Sequence, residues 1–326
     1  MKKLINVELK NGNYQVIIES NLLKNIEDYI DLSQRYFIVT DDNVAAYYLE
    51  TLTSQLKNFD YIVLANGEAA KSFSNLQMIL EKLLELNYER TDQIIALGGG
   101  VIGDIAGLAA SLYMRGIAYI NIPTSSLAQI DASVGGKVAI DLAGVKNVIG
   151  DFYNSSQVLI DPALTASLAK EHYQAGLVEA LKIGLTSNSK LVSMLEADAE
   201  YNLIVNQAIR TKLSIVKEDE MDLGLRNILN FGHTFGHALE VKYNLIHGEA
   251  VFYGMYYDDI SSDIKNILDK FKEKFDYKRE FATDGLMDLM INDKKVSKDM
   301  CSLIKLDKVG AGTVARYPLA YLKEKL

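Results

Sequence analysis

The sequence predicts an α/β protein in two parts, an N-terminal α/β domain over residues 1–160 and a mostly α-helical domain over 161–326. Three observations carry this. The chain of 326 residues is longer than a single hydrophobic core ordinarily serves. Short β-branched or apolar runs ("YFIVTD", "YIVLA", "QIIALGGG", "AYINIPT", "QVLIDP") alternate with helical stretches up to about residue 160, the pattern of a mainly parallel sheet. After Pro162 the strand signals mostly vanish, and long amphipathic segments follow, such as "QAGLVEALKIGL" and "LIVNQAIRTKLSIVKEDE".

In chain order, "MKKLINVELKNGNYQVIIES" alternates like a strand and lacks an apolar run of signal-peptide length. "SNLQMILEKLLELNYE" places Leu76, Ile79, Leu80, Leu83 and Leu84 on one helical stripe. The longest apolar region, "IIALGGGVIGDIAGLAASLYM", is interrupted by glycines and by Asp104, which a bilayer would penalise, so no membrane partner is expected. A formal charge of −9 argues against nonspecific nucleic-acid or membrane binding. The single cysteine, Cys301, cannot form an internal disulfide and fits a reducing, cytoplasmic setting.

Gly98-Gly99-Gly100-Val101-Ile102-Gly103-Asp104 follows the apolar "QIIAL" and precedes a helical run. Glycines there allow a tight turn and let backbone N–H groups at a helix start approach a pyrophosphate, so the first domain reads as Rossmann-like. The usual acidic ribose partner about 20 residues on is missing. Asp41 in "IVTDDN", with Asn43, ends an earlier strand and is either a ribose acceptor or a turn residue. As an acceptor it would disfavour a 2′-phosphate, favouring NAD over NADP. "NGEAAKS", with Glu68 and Lys71, and "PTSS", with Thr124 and Ser125, are polar clusters at expected strand ends, where open α/β sheets bind ligands.

Two of the four histidines, His233 and His237, stand at i, i+4 in "LRNILNFGHTFGHALE", close enough to share one cation. The pair alone is equally a metal clamp or an ordinary helix face, and no Glu follows the first His as in zinc-protease helices. His247 offers a third nitrogen, and Glu179 is a carboxylate in an otherwise apolar helix face. Lys137, Lys146 beside Asn147, Lys182, Lys212, Arg226 and the pair Lys294 and Lys295 crowd near these motifs. Such a concentration suits a small substrate with more than one negative group.

Together "LGGGVIGD", "YMRGI", "PTSSLAQIDASVGGK", "GVKNVIG", "GLVEALKIG", "GLRNILNFGHTFGHALE", "HGEAV" and "DKK" resemble, in order and spacing, the 3-dehydroquinate synthase family, across nearly the whole chain. The resemblance implies the family's fold and its cofactors, NAD and zinc (or cobalt). It implies conversion of a sugar phosphate, 3-deoxy-D-arabino-heptulosonate 7-phosphate, to 3-dehydroquinate and phosphate in the shikimate pathway. The implied route is transient oxidation, phosphate elimination, re-reduction and intramolecular aldol closure.

By position, the resemblance makes Glu179, His233 and His247 the metal ligands and His237 a substrate contact, splitting the histidine pair. It assigns Asp41, Asn43, Glu68, Lys71, Gly100, Val101, Ile102, Gly103, Asp104, Thr124, Ser125, Lys146 and the segment Leu164, Thr165, Ala166, Ser167 to NAD. Lys137 falls at the same cofactor end and, with Asp131, Asn147, Lys182, Lys212, Arg226, Asn230, Lys294 and Lys295, in the substrate pocket. Arg115 resembles an arginine that reaches a neighbouring subunit's substrate phosphate, which implies a homodimer. The sequence departs from the family's pattern at Ser125 (commonly Thr), Ala132 (commonly Ser) and "SLAKEH", where His172 stands at a usually acidic position and reads as surface. The rival readings are another sugar-phosphate cyclase forming a valiolone or inosose ring, a glycerol-dehydrogenase-like oxidoreductase, and a noncatalytic NAD- or metal-binding regulator.

Overall fold

The computed structural model describes residues 2–291, 296–297 and 300–326, and the chain divides into two units, Met1–Leu168 and Ala169–Leu326. The expected boundary at 160/161 therefore shifts towards the C-terminus. The reason is local: the buried Asp161 carboxylate accepts from the backbone N–H groups of Asn21 and Leu23, and Leu164 packs into the first unit's core.

The first unit is built on nine strands: β1 (Lys3–Val7), β2 (Tyr14–Ile18), β3 (Arg35–Asp41), β4 (Asn58–Leu64), β5 (Gln93–Gly98), β6 (Tyr119–Pro123), β7 (Lys137–Leu142), β8 (Val145–Phe152) and β9 (Gln157–Ile160). Seven form one sheet in the order β1-β2-β9-β6-β5-β3-β4, parallel throughout except for the edge pair β1/β2. All five apolar runs read as strands lie in it. Side chains alternate between the faces, as strand geometry requires. Phe37 and Val39 of β3 join Ile94 and Ala96 of β5 in one core, against the helices Phe73–Glu85 and Gly100–Leu112. Tyr36, Ile38, Ile95 and Leu97 face the opposite core with Leu22, Leu23 and Ile26. Burying each such side chain contributes about 1.5–3 kcal/mol, which is why these runs read as near-continuous apolar segments.

The hairpin β7/β8 was not read from the sequence; it is antiparallel and carries Lys137, Lys146 and Asn147. Its second strand is mostly exposed, so it lacks the apolar alternation that marks the others.

The second unit is mainly helical, as expected. Its helices include Lys170–Ser187, Ser189–Glu196, Tyr201–Glu218, His233–Tyr243, His247–Gly254 and Ser262–Lys274. It also holds a small sheet that the sequence reading lacked: β10 (Asp259–Ile260), β11 (Val296–Ser297), β12 (Met300–Leu306) and β13 (Thr313–Pro318). The buried Cys301 and Leu303 of β12 pack with Phe235, Leu239 and Tyr253, so this sheet backs the helices that bear the histidines. Among the described residues no helix is long and apolar enough to cross a membrane.

Candidate active site

In the first unit the connection from β3 runs to the edge strand β4 and then returns past β3 to β5. The carboxyl ends of β3 and β5 thus flank the topological switch point, the crevice in which open α/β sheets bind nucleotides. Asp41 ends β3, and Gly98 ends β5 before the helix Gly100–Leu112. Gly99 is that helix's N-cap and offers no side chain to its first turn. A methyl group built on Gly99 would stand 3.4 Å from Ser125 Oγ, and one on Gly98 only 2.6 Å from Ile102 Cβ. Gly98 is therefore a packing requirement, whereas Gly99 keeps a helix N-terminus open to an approaching anion.

The residues assigned to the dinucleotide fall around this end of the sheet in different local states. Asp41 Oδ1 accepts from Val44 N at 2.8 Å, and burial holds the carboxyl above its ordinary value. Thr124, directly after β6, is buried, and Ser125 Oγ accepts from Ala128 N. Lys71 is buried, 2.8 Å from Asp104 Oδ2 and 3.6 Å from Glu68 Oε1, and also contacts Asn147 Oδ1. Burial favours its neutral form, but Asp104, Glu68 and Asp141 outweigh that, so its pKa is raised and it stays charged. Lys137 and Lys146 are exposed on the β7/β8 hairpin, where Asn147 takes a positive φ of 51°. Leu164 to Ser167 lie in a 3₁₀ segment tied to Tyr48, whose hydroxyl donates to Leu164 O at 2.8 Å and lies 2.8 Å from Ser167 Oγ. Asp131 is half-buried in the turn Ala128–Ala132. Arg115 is exposed beside Met114, both at positive φ.

In the second unit three separate segments converge. Glu179 comes from the middle of the helix Lys170–Ser187 and is fully buried. His233 opens one helix, and His247 opens the next. One ligand atom from each of Glu179, His233 and His247 lies within 4.8 Å of the others. Glycines make this approach possible. A methyl on Gly254 would meet Gly232 O at 2.0 Å, one on Gly236 would meet Val251 Cα at 3.0 Å, and one on Gly248 would meet Ala175 Cα at 2.4 Å. The buried Asp258 carboxylate accepts from Gly232 N and Ile304 N, both at 2.7 Å, fixing the turn before His233 to the small sheet.

The ring orientations follow from hydrogen bonds. His233 Nδ1 stands 3.1 Å from Phe231 O; a carbonyl only accepts, so Nδ1 carries the proton and Nε2 keeps its lone pair. His247 Nδ1 stands 3.0 Å from Glu240 Oε2, and its Nε2 lies 3.5 Å from Glu179 Oε1. Two imidazole nitrogens and one carboxylate oxygen, with their partners in place behind them, match the donor set of an open divalent-metal site. Burial disfavours the imidazolium of His247, but Glu179 and Glu240 raise its pKa to about 9. Lys182 Nζ makes a direct ion pair with Glu179 Oε2. His237 stands outside the three-residue group, its ring centroid 5.3 Å from that of His233 and 6.0 Å from that of His247.

Lys212 and Arg226 are buried in the same unit. Arg226 donates to Glu220 O at 3.0 Å, and its backbone N–H reaches Asp219 Oδ2 at 3.0 Å. Desolvation is the largest single influence on Asp219 and opposes its ionisation, but the N–H groups of Leu223, Arg226 and Gly224 together hold its carboxyl below the ordinary value. Asn230 donates to Asn227 Oδ1, and His172 is exposed, as read. Lys294 and Lys295 lie outside the described residues. Glu240 and Asp258 were not singled out in the sequence. Glu240 was legible, since His233, His237 and Glu240 continue one i, i+4, i+7 stripe; Asp258 had no local signal.

Residues 61–175 match the family model described as 3-dehydroquinate synthase N-terminal, and residues 176–296 match 3-dehydroquinate synthase C-terminal. A 3-dehydroquinate synthase from Clostridium botulinum (strain Alaska E43 / Type E3) is 36% identical, with 99% of this chain and 100% of the relative covered. A solved 2-deoxy-scyllo-inosose synthase, complexed with carbaglucose-6-phosphate, NAD+ and Co2+, shares the fold at a TM-score of 0.87 and 24% identity, covering 99% of this chain and 98% of the other. A 2-epi-5-epi-valiolone synthase from Streptomyces hygroscopicus subsp. jinggangensis 5008, with NAD+ and Zn2+ bound, follows at 0.84 and 25%, covering 98% and 97%. With the two family models matching residues 61–296 and a relative of this identity aligned over its whole length, the chain belongs to the 3-dehydroquinate synthase family.

Proposed function

We propose that the chain converts 3-deoxy-D-arabino-heptulosonate 7-phosphate to 3-dehydroquinate and phosphate, acting as a lyase with NAD and a divalent metal, zinc or cobalt. The observation that carries this is the convergence of Glu179, His233 and His247 on one point, in a unit that also buries Lys182, Lys212 and Arg226. A protein of net charge −9 that pairs Lys182 with Glu179 and buries Lys212 and Arg226 in the same unit is suited to a substrate bearing both a carboxylate and a phosphate.

In this reading Glu179, His233 and His247 hold the metal, while the backbone amides after Gly99 and the polar groups at the ends of β3, β5 and β6 hold the dinucleotide. When bound, the metal would polarise a ring hydroxyl and NAD would accept and return its hydride, with no net oxidation. His237, one turn from His233 and outside the ligand group, is assigned to proton transfer at the substrate. Lys182, Lys212, Arg226 and Asn230 are assigned to the substrate's anionic and hydroxyl groups, as are Asp131, Lys137, Asn147, Lys294 and Lys295. Asp41, Asn43, Glu68, Lys71, Gly100 to Asp104, Thr124, Ser125, Lys146 and Leu164 to Ser167 are assigned to NAD. Arg115, exposed at a left-handed position, is assigned to the substrate phosphate of a second copy in a homodimer. The setting is cytoplasmic, in keeping with a single, unpaired Cys301.

An assay of phosphate release and dehydroquinate formation, with and without chelator, tests the reading. Activity on the heptulosonate phosphate that chelation abolishes supports it. Turnover of a neutral heptulose phosphate in its place would shift the assignment to a valiolone- or inosose-forming cyclase. Net accumulation of NADH would instead indicate an alcohol oxidoreductase.

A further inference from the structure

We propose that Glu240 is a positioning residue that sets the metal affinity of the site by orienting and polarising His247, an inference that rests on the metal reading of Glu179, His233 and His247. Glu240 Oε2 lies 3.0 Å from His247 Nδ1, and the Glu240 side chain is only 14% exposed. A carboxylate only accepts from a ring N–H, so this contact assigns the proton to Nδ1 and aims Nε2 at the site, 3.5 Å from Glu179 Oε1. A carboxylate accepting from the outer N–H also makes the inner nitrogen a better donor to a cation.

The geometry is imposed by packing. His233, His237 and Glu240 form one stripe of the helix His233–Tyr243, so a single helix face supplies a ligand and the support for the ligand opposite. The neighbouring helix His247–Gly254 lies so close that a methyl on Gly236 would come within 3.0 Å of Val251 Cα. This close approach seats the two helices against each other and brings Glu240 to His247. The two histidines are supported differently: His233 by the neutral carbonyl of Phe231, His247 by a charged carboxylate. Removing Glu240 should therefore weaken one metal bond and leave the other intact.

The test is equilibrium zinc competition against a chromophoric chelator, with cobalt(II) absorption spectra, for the wild-type chain and for Glu240→Gln, Glu240→Ala and His247→Ala. Glu240→Ala is expected to lose about 10–100-fold in zinc affinity and to shift the cobalt bands. Glu240→Gln, which is isosteric and still offers an oxygen to Nδ1–H, is expected to lose less, and it carries the test should the alanine variant fail to fold. If the wild type binds stoichiometric zinc, His247→Ala loses it and both Glu240 variants match the wild type in affinity and spectrum, the role of Glu240 is refuted while the metal reading stands. If the wild type binds no stoichiometric metal, the reading of the three ligands falls, and the role of Glu240 with it.

Discussion

The glycine-rich end of the parallel sheet and the histidine-bearing helices of the second unit solve two recognition problems by opposite means. In the proposed reading, the recognising groups at the switch point between β3 and β5 are the backbone amides after Gly99 and polar side chains at the ends of several strands. In the second unit they are side chains from three segments, and glycines serve the packing that brings those segments together. A glycine in the first region can leave room for a ligand; in the second it leaves room for the protein's own backbone.

The largest effect should come from breaking the convergence itself. His247→Ala is expected to lose bound metal and essentially all activity, whereas His237→Ala should keep stoichiometric metal and lose about 10²–10⁴ in kcat, the usual scale of general acid–base catalysis. Metal analysis beside steady-state kinetics checks this, and equal metal loss in the two variants would remove the division of roles.

The glycines give a sharper contrast. Gly254→Ala forces a methyl into Gly232 O, 2.0 Å away before relaxation, and should destabilise the chain by about 3 kcal/mol or prevent folding. Gly99→Ala meets nothing closer than 3.4 Å at an ordinary φ of −73°, so stability should change by less than about 1 kcal/mol. Its methyl would nonetheless crowd the helix N-terminus, and NAD affinity should fall about tenfold. Denaturant melts and NAD titration of both variants would separate the two kinds of glycine; equal destabilisation would erase the contrast.

The smallest effect concerns pH. The pKa of His247 is raised from 6.5 to about 9 in the metal-free chain, where Glu179 and Glu240 outweigh the cost of burial. A raised folded-state pKa stabilises fully below 6.5, and the contribution is lost as pH rises through about 9. The metal-free chain should therefore lose stability across that window. Metal uptake, which must displace the same proton, should strengthen over it. Melting curves from pH 6 to 9.5 with and without zinc would check both signs, and parallel curves would count against His247 as a ligand.

Legibility in the sequence tracked how local each feature was. The apolar runs of β3, β5, β6 and β9 are buried on both faces and announced themselves, while the hairpin β7/β8, with its exposed second strand, did not. The paired histidines were visible as a pair, but spacing alone could not separate His233 from His237. That separation depends on where Glu179 and His247 arrive, which the packing of Gly232, Gly236, Gly248 and Gly254 decides. The small sheet β10–β13 escaped notice because two of its strands are only two residues long.

By itself the sequence determined the parallel sheet, the helical second half, the Gly-rich turn and the family, because periodicity and contiguous motifs are properties of neighbouring residues. The tertiary structure alone decided which nitrogens face Glu179, that Glu240 stands behind His247, that Asp258 anchors the turn at Gly232, and that the segment 161–168 belongs to the first unit. These are contacts between residues distant in the chain or on adjoining helices, and close packing rather than local preference sets their distances.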